Sequence, residues 1–593
     1  MLTNLRIRQP DGESQRSTFT LMRLMALASD YDGTLAEDGR VSQSTEASLI
    51  KLKEAGRKLI LVSGRQLDDL TRAFEKIALF DLLVVENGAL LHSPEKKTSR
   101  LLCQPPPPAF AAALRMVGVT PLSCGEAIVS TWHPHEHLVL ETIRKMGLDL
   151  QVIFNKGAVM VLPAGVNKAS GLAAALDELS LSFHNIVGIG DAENDIAFLK
   201  NCECSIAVAN ALPAVKAVVD IVTERDHGAG VEEAVRLMIS NELEHASQTS
   251  SRNQVPLGIN PEGNDEIMFP MGGVDVLFAG SSGAGKSTIA TGLVQRLAQK
   301  GYQFCLIDPE GDYESLENAV VLGTEQHIPG IDEAMGVLAQ PAQNLVLNLL
   351  GVSLEDRPAF FTSLMMRLQE MRSSFGRPHW IIVDEAHHVM PAQRYLQPPA
   401  LPPAPADMMI ITVEPRQLDM RALRLIKLLV AVGESAIDTL QQFCDATKIA
   451  LPEIKQTDSP GHDEALLWFV GSPPKRVKPL LGERESRRHR RKYASGEIGP
   501  DHSFYFRGPE EKLNLRAHNL QTFVQLAAGV DDATWIFHLR RGDYSRWFNN
   551  VIKDEELATE AKNLEQNGSA SPQDSRELIR AAIEKRYTAG AQD

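Results

Sequence analysis

The chain has 593 residues, of which 44% are hydrophobic and 23% are charged, a composition that excludes a largely disordered protein. At roughly 100 to 200 residues per domain, this length predicts three or four folding units. The formal net charge of −16 disfavours a general coating of nucleic acid or of anionic membrane. The scattered cysteines, and the lack of any apolar run near the ~18 residues of a membrane helix, predict a cytoplasmic protein without a membrane partner.

Shifts in composition predict where the domains end. Polar residues near position 250 and basic residues near position 480 interrupt the apolar periodicity, so both stretches are interpreted as linkers. The predicted segments are a first domain at 26–240 with an inserted cap at 91–165, a linker at 241–265, a second domain at 266–470, a basic linker at 471–492, a small accessory module at 493–560 and a polar tail at 561–593.

In both large domains, short apolar runs alternate with helical periods. Continuous apolar runs that end in polar or small residues are typical of parallel strands buried on both faces. In the first domain the runs are Leu24–Asp30, Lys58–Gly64, Leu82–Gly88, Asn185–Asp191 and Ser205–Asn210. In the second they are Val274–Gly280, Gln303–Pro309, Asn344–Leu350, Trp380–Glu385, Met408–Val413 and Lys427–Val432. The predicted fold class is α/β, with two doubly wound parallel-sheet domains and a small C-terminal module.

Four motifs in the first domain carry groups suited to phosphoryl transfer. They are Asp30-Tyr31-Asp32-Gly33-Thr34, Ser63-Gly64-Arg65, Lys168 and Asp191-Ala192-Glu193-Asn194-Asp195. Asp30 and Asp32 are two residues apart at the end of an extended run, so their carboxylates point to the same side. Paired carboxylates suit a nucleophile and an acid/base, and further carboxylates at a strand end suit a hard cation such as Mg²⁺.

This ordered set resembles the Cof-like phosphatases of the haloacid dehalogenase superfamily, over about residues 26–240. The resemblance implies that Asp30 attacks phosphorus to form an aspartyl-phosphate. Asp32 would protonate the leaving oxygen and then activate water, while Ser63 and Lys168 would hold the phosphoryl group. The implied substrate is a phosphorylated small molecule.

The same resemblance implies a Mg²⁺ site and a cap. Asp191, Asp30 and the carbonyl of Asp32 would bind the ion, and Asn194 and Asp195 would support that shell. The resemblance also implies that the cap selects the substrate.

The cap would follow the core segment Glu86–Ala89. Within it, Trp132–His137 contains three alternating histidines, which either bind metal or substrate or belong to a solvated loop.

A phosphate-binding loop opens the second domain. Gly280-Ser281-Ser282-Gly283-Ala284-Gly285-Lys286-Ser287-Thr288 matches GxxxxGK[ST] between a strand and a helical pattern. The glycines Gly280, Gly283 and Gly285 let backbone N–H groups face the phosphates of ATP. Lys286 is expected to reach the β- and γ-phosphates, Ser287 to bind Mg²⁺, and Thr288 to complete the loop.

The matching acidic strand is Trp380–Glu385, in which Asp384 is the candidate metal ligand and Glu385 the residue that polarises water. With Asp308–Tyr313, these motifs resemble the HerA/FtsK branch of P-loop ATPases, over about residues 266–470. The chain departs from that branch because Val413 follows Thr412, where a Gln that senses the γ-phosphate is usual. This departure puts force-generating translocation in doubt.

Nucleic acid and oligomerisation stay open as expectations. Residues 475–492 contain nine basic and two acidic residues, and aromatic residues follow at 493 and 504–506, a combination used for single strands. A solvated linker is the favoured alternative. Arginines that could act on a neighbouring subunit leave a homo-oligomer through the ATPase domain open, although an ordinary surface arginine is the favoured interpretation of each. They are Arg416, Arg421, Arg424, Arg540 and Arg541.

The sequence therefore favours a bifunctional hydrolase, a Mg²⁺-dependent phosphatase joined to a HerA-like ATPase. Three alternatives remain. One is an ATP-driven nucleic-acid translocase that trims terminal phosphates, another is a phosphatase gated by ATP, and the third is a kinase paired with an opposing phosphatase.

Overall fold

The structure, a computed structural model of the chain, describes residues 23–155, 157–240, 242–243, 250–263, 265–281, 284–314, 316–392, 407–454, 459–461, 463–481, 503–552, 554–566 and 571–587. The chain forms two compact units, Met1–Leu480 and Leu481–Asp593. The first unit contains both of the predicted α/β domains. Among the described helices, none is long and apolar enough to cross a bilayer.

The first domain contains twelve strands in two sheets. They are β1 (Ala26–Ser29), β2 (Lys58–Val62), β3 (Leu82–Val85), β4 (Leu90–Ser93), β5 (Thr98–Leu101), β6 (Ser123–Cys124), β7 (Val129–Trp132), β8 (Leu150–Asn155), β9 (Ala158–Pro163), β10 (Ile186–Gly190), β11 (Cys204–Ala207) and β12 (Ile221–Val222). The core sheet has the order β12-β11-β10-β1-β2-β3-β4-β5. Strands β12 to β3 in that order are parallel, which confirms the predicted parallel sheet. The order places the carboxyl ends of β10, β1 and β2 side by side.

Helices flank this sheet and build the cap. They are α1 (Gln43–Glu54), α2 (Leu67–Ala73), α3 (Pro108–Met116), α4 (Glu136–Met146), α5 (Lys168–Glu178), α6 (Ile196–Leu199), α7 (Pro213–Lys216) and α8 (His227–Ile239). The cap is the antiparallel sheet β6-β7-β9-β8 with α3 and α4 packed on one face. The predicted start of the cap at residue 91 needs correction. Leu90 and Leu91 pair with Val85 and Val84 of β3, so the hairpin β4–β5 extends the core sheet.

The described part of the second domain contains one eleven-stranded sheet. Its strands are β13 (Gln254–Ile259), β14 (Glu266–Pro270), β15 (Val276–Ala279), β16 (Phe304–Asp308), β17 (Ala319–Leu322), β18 (Asn344–Asn348), β19 (Trp380–Val383), β20 (Met408–Thr412), β21 (Leu428–Val432), β22 (Ala465–Phe469) and β23 (Lys475–Pro479). The order is β14-β13-β23-β22-β21-β15-β20-β19-β16-β18-β17. The seven strands from β21 to β17 in that order are parallel and include all six predicted runs.

The helices of the second domain are α9 (Lys286–Gln299), α10 (Ile331–Leu338), α11 (Arg357–Phe375), α12 (Met420–Leu423) and α13 (Ala436–Thr447). Both predicted linkers contribute strands to this domain. β13 lies within 241–265 and β23 lies within 471–492, and the two pair with each other. Buried side chains alternate along β13, so a short one-sided strand interrupted by Pro256 and Gly258 was mistaken for a linker.

The C-terminal unit is a helical module with a small hairpin. Its elements are β24 (Phe504–Phe506), β25 (Leu515–Ala517), α14 (Leu520–Gly529), α15 (Asp532–Arg541), α16 (Asp543–Trp547), α17 (Glu555–Gln566) and α18 (Pro572–Tyr587). Phe504 and Phe506 are buried in its aromatic core, so their rings are not available for the predicted stacking with nucleic acid. Ile579 and Ile583 of the predicted polar tail belong to the same core. Most of the basic segment, residues 482–502, lies outside the described residues.

Two candidate active sites

The first candidate site lies at the carboxyl edge of the core sheet. Asp30 follows β1, Ser63 follows β2 and Asp191 follows β10, and these three strands are neighbours. Lys168 is the first residue of α5, which begins after Asn167, whose side chain accepts hydrogen bonds from the first turn. The fold therefore brings motifs that are far apart in sequence to one edge of one sheet.

A buried ion cluster forms the centre of this site. The Nζ atom of Lys168 lies 2.6 Å from Oδ1 of Asp30 and 2.6 Å from Oδ1 of Asp195, and all three side chains are buried. Burial, with Asp195 nearby, raises the pKa of Asp30, and Lys168 opposes that rise. Burial alone would lower the pKa of Lys168, but Asp195 and Asp30 together hold it above its ordinary value. The ammonium group of Lys168 thus contacts two carboxylates, those of Asp30 and Asp195.

The residues of this edge fit a divalent cation. Carboxylate oxygens of Asp30, Asp191 and Asp195 lie within 4.8 Å of one another, and Thr34 donates a hydrogen bond to Asp191 at 2.9 Å. The Oδ1 atom of Asn194 is buried without a hydrogen-bond partner among the described residues. Carboxylate and amide oxygens are the ligands that hard cations take, so this orphaned oxygen and the carboxylates suit Mg²⁺.

Asp195 has a different position from Asp30 and Asp191. Its Oδ2 atom accepts hydrogen bonds from the backbone N–H groups of Asp191 at 3.0 Å and Ala192 at 2.9 Å, and its Oδ1 atom contacts Lys168. Both oxygens are therefore engaged within the protein, which suits the supporting role expected for Asp195.

Asp32 lies at the more open side of the site, where its side chain is 44% exposed. Arg65 binds both of its carboxylate oxygens at 2.7 Å and also contacts Asp69 at 2.9 Å. The backbone N–H of Arg65 donates to the Ser63 hydroxyl at 3.1 Å. Sequence reasoning used the Ser63 hydroxyl and the backbone amides of this segment, so it missed the Arg65 side chain, whose partner is 33 residues away in the sequence.

The turn Glu86–Gly88 joins the cap to the catalytic core. Glu86, Asn87 and Gly88 have φ values of 50°, 55° and 103°, a left-handed run that is costly for residues other than glycine. The Glu86 carboxylate accepts three backbone N–H groups of the cap, from residues 126, 127 and 128, at 2.8, 2.7 and 3.0 Å. The side chain of Asn87 accepts a hydrogen bond from Asn194 at 3.2 Å. A buried carboxyl group thus fixes the position of the cap relative to the edge that carries Asp30 and Asp191.

We expect Glu86→Gln to loosen the cap without unfolding the core. The amide that replaces one carboxylate oxygen cannot accept the cap N–H groups, and hydrogen bonds to charged groups contribute about 1.5–3 kcal/mol. Amide hydrogen exchange at residues 126–128 should therefore become roughly 10- to 100-fold faster. Glu126→Gln makes the same chemical change at an exposed side chain nearby and is the matched control. Unchanged exchange in Glu86→Gln would show that the carboxylate does not hold the cap.

The histidines of the cap do not converge on a metal site. His133 Nδ1 lies 2.9 Å from Glu136, and His135 Nε2 lies 2.9 Å from the Thr120 carbonyl. Within the described residues, the group of Asp30, Asp191 and Asp195 is the only cluster with metal-binding geometry. The solvated-loop alternative fits this part of the cap better.

The second candidate site lies at the carboxyl edge of the other sheet. The phosphate loop follows β15, and α9 begins at Lys286, whose Nζ atom donates to the Ser281 carbonyl at 3.1 Å. A Cβ atom at Gly280 would lie 2.4 Å from the Val432 carbonyl oxygen, and Gly285 has a φ of 93°, so both positions require glycine.

Three residues of the loop with a predicted role remain, namely Ser287, Thr288 and Gly283. Ser287 and Thr288 lie in the first turn of α9, where backbone N–H groups favour an anion. Gly283 lies outside the described residues.

Acidic residues and histidines face this loop from the neighbouring strands. Asp384 follows β19, and its Oδ1 atom accepts the N–H of Glu385 at 3.0 Å. Burial, together with Asp384, raises the pKa of Glu385 to about 7, which is near the working range of a general base. Strand β20 lies between β15 and β19 and ends at Thr412, whose hydroxyl is 3.4 Å from His387 Nδ1. Asp308 is buried and binds its own loop, accepting the N–H groups of residues 311 and 313.

Comparison with known proteins gives two family matches. Residues 27–105 and 142–235 match the haloacid dehalogenase-like hydrolase family, and residues 276–456 match the CobQ/CobB/MinD/ParA nucleotide-binding domain. The second match supports a P-loop nucleotide-binding domain but not the narrower HerA/FtsK resemblance.

Three curated relatives are each similar to about a third of this chain. The chain is 29% identical over 216 residues to a phosphoglycolate phosphatase of Methanothermobacter thermautotrophicus, covering 36% of this chain and 98% of that protein. It is 30% identical over 227 residues to phosphoglycolate phosphatase 2 of Saccharolobus solfataricus, covering 36% of this chain and 92% of that protein. It is also 26% identical over 235 residues to a 5-amino-6-(5-phospho-D-ribitylamino)uracil phosphatase of Bacillus subtilis, covering 35% and 94%. Through its first domain the chain belongs to the haloacid dehalogenase-like hydrolase family, and its second domain is a nucleotide-binding domain of the P-loop type.

Proposed function

We propose that the chain is an enzyme with two sites, a Mg²⁺-dependent phosphomonoesterase and a HerA-like ATPase. The observation that carries the first activity is the buried Asp30 carboxylate, which lies 2.6 Å from Lys168 and within 4.8 Å of the carboxylates of Asp191 and Asp195. This arrangement supports covalent catalysis, because it fixes a carboxylate nucleophile next to a cation that can hold a phosphoryl oxygen.

The reaction that fits this geometry has two halves. First, a carboxylate oxygen of Asp30 attacks phosphorus, the bond to the ester oxygen breaks, and Asp32 gives that oxygen a proton. Asp32 then removes a proton from water, which attacks the same phosphorus and releases phosphate and free Asp30. Lys168 and the Ser63 hydroxyl hold the phosphoryl oxygens in both halves. A divalent cation held by Asp30, Asp191 and Asn194 would offset the negative charge of the phosphoryl group.

Removal of divalent metal tests this proposal. Dialysis against EDTA should lower phosphomonoester hydrolysis by at least about a hundredfold, and added Mg²⁺ should restore it, because charge neutralisation is worth several kcal/mol. Asp191→Asn should shift the restoring Mg²⁺ concentration upwards. Glu193→Gln, an exposed carboxylate in the same loop, should leave that concentration unchanged. Full activity in the presence of the chelator would contradict the proposal.

The ATPase proposal rests on the residues at the carboxyl edge of the sheet in the second domain. Lys286 opens the helix beneath the phosphate loop, Glu385 has a raised pKa, and Thr412 ends the strand between β15 and β19. In this position Thr412 would lie between the bound phosphates and the acidic pair Asp384 and Glu385. This placement supports the HerA-like ATPase over a site that only binds nucleotide.

Nucleic-acid translocation has less support. Lys475–Pro479, the start of the basic segment, is a strand paired with β22 and close to β13, and Val413 follows Thr412 in place of Gln.

The joint between the two domains favours a second candidate function, a phosphatase gated by ATP. His184 precedes β10, and its Nε2 atom lies 2.8 Å from the carbonyl of Lys300, the residue after α9. The other ring nitrogen of His184 lies 3.0 Å from Glu203, which also accepts a hydrogen bond from the Tyr302 hydroxyl at 2.7 Å. The domains therefore meet at the amino ends of their strands.

This joint links the two sites through regular elements. Helix α9 runs from the phosphate loop to the joint, and β10 runs from the joint to Asp191. A nucleotide that shifts α9 would therefore act on the edge that carries Asp191 through the contact of His184 with Lys300, which is the kind of discrete element that coupling requires.

A further inference from the structure

The cap sheet has one face covered by helices and an opposite face, the open face, on which Met160 is buried in a cluster with Ala89 of the core domain. Val129, Val159 and Val161 pack against α3 and α4. Side chains alternate along a strand, so the intervening residues point to the other face. From the strand pairing, the described residues on that open face include Ser130, Trp132, Ile153, Ala158 and Met160.

This open face looks toward the catalytic edge. The sulfur of Met160 lies 3.8 Å from the position of a Cβ atom at Gly64, in the loop that carries Ser63 and Arg65. Met160 pairs with Ser130, so this row of the cap lies over the end of β2.

The next row of the cap sheet, formed by Trp132 and Ala158, lies one step farther along the strands. Glu86, after β3, holds the cap at residues 126–128, and residue 130 lies over β2. Two residues along a strand span about 6.6 Å, and neighbouring strands are about 4.8 Å apart. Trp132, two residues beyond Ser130 on the same face, therefore lies one row, about 6.6 Å, from the row that contacts the Ser63–Arg65 loop.

The open face presents apolar and neutral polar side chains. Trp132 is 54% exposed, which is large for an indole, and the open-face residues named above carry no charge. Among the described residues, two cations at this edge are paired with carboxylates. Lys168 contacts Asp30 and Asp195, and Arg65 contacts Asp32 and Asp69. A second anionic group on the substrate would meet no unpaired cation among these residues.

We propose that Trp132 and Met160 form the binding site for the leaving group, and that the substrate is the phosphomonoester of an uncharged alcohol with a flat aromatic or heterocyclic part. This inference rests on the proposed phosphomonoesterase activity. It separates the chain from relatives named as phosphoglycolate phosphatases, whose named substrate carries a carboxylate beside its phosphate. An aromatic ring against Trp132 gains stacking as well as buried area.

Three esters of aliphatic alcohols test the proposal, because they avoid the reactivity advantage of a phenolate leaving group. They are benzyl phosphate, propyl phosphate and 2-phosphoglycolate. We expect the full chain to show a kcat/KM for benzyl phosphate about tenfold or more above those of the other two. Trp132→Ala should lower kcat/KM for benzyl phosphate about tenfold more than it lowers kcat/KM for propyl phosphate, and Trp132→Phe should retain most of the preference.

Phe154→Ala is the matched control. Phe154 is 49% exposed on the same sheet, but it pairs with Val159 and so lies on the helix-covered side. This variant should keep the preference for benzyl phosphate. An equal loss in Phe154→Ala and Trp132→Ala would show a general effect on the cap and overturn the proposal.

A preference for 2-phosphoglycolate would also overturn it. Failure of the phosphomonoesterase proposal is distinguishable, because then none of the three esters would be hydrolysed in a manner that depends on Asp30.

Discussion

Asp30→Asn should abolish phosphomonoester hydrolysis, with a loss of about 10⁴-fold or more, as is typical when a covalent nucleophile is removed. An amide cannot attack phosphorus to form the aspartyl-phosphate. The variant should nevertheless fold, because burial already disfavours the charge of Asp30 and Lys168 keeps its contact with Asp195. Steady-state hydrolysis and thermal unfolding check both parts.

Asp38→Asn is the matched control for this variant. Asp38 is exposed in the loop that follows the catalytic segment, and its φ of 48° is one that asparagine tolerates. It should retain normal phosphatase activity. The ATPase should survive in both variants. Retained phosphatase turnover in Asp30→Asn would refute the nucleophile assignment.

The second large effect concerns the nucleotide site. Lys286→Ala should abolish productive ATP binding, because the phosphates lose the ammonium at the start of α9. Glu385→Gln should bind ATP with nearly normal affinity but hydrolyse it about 10²- to 10³-fold more slowly, since the phosphate loop is intact while the group that polarises water is lost. Calorimetric binding and phosphate release separate the two effects. Equal loss of affinity in both variants would contradict this division of roles.

Lys286→Ala and Glu385→Gln also show whether the phosphatase site and the ATPase site act independently or are coupled. If ATP gates the phosphatase, ATP should change the phosphatase rate in Glu385→Gln but not in Lys286→Ala. The response should fall when His184→Ala removes the contact between β10 and α9. No response to ATP in Glu385→Gln would leave two independent sites and reject the gating candidate.

Most of the site residues could be predicted because each belongs to a short motif at a strand end. Apolar runs located the strands, and parallel strands bring their carboxyl ends to one edge, so Asp30, Ser63 and Asp191 were expected to be neighbours. The contacts of Arg65 and Glu86 could not be predicted in this way. They depend on where the neighbouring strand and the cap lie, which no local pattern encodes.

Other predictions from the sequence were wrong or incomplete for related reasons. Strand β13 has a short, interrupted apolar pattern, and its partner β23 is more than 200 residues away, so it was interpreted as linker. No local pattern distinguishes His184 and Glu203 from ordinary polar surface residues, and only the arrangement of the two domains places them at a partly buried joint. The aromatic pair Phe504 and Phe506 suggested stacking with nucleic acid, but burial assigns both rings to a core.

The most direct test of the central claim is to identify the residue that becomes phosphorylated. The full chain would be mixed with substrate and Mg²⁺, quenched rapidly in acid, digested and analysed by mass spectrometry. The expected result is a transient phosphate on Asp30, absent in Asp30→Asn and present in Asp38→Asn. Efficient turnover without any phosphorylated protein, or with phosphate on a different residue, would contradict catalysis by Asp30.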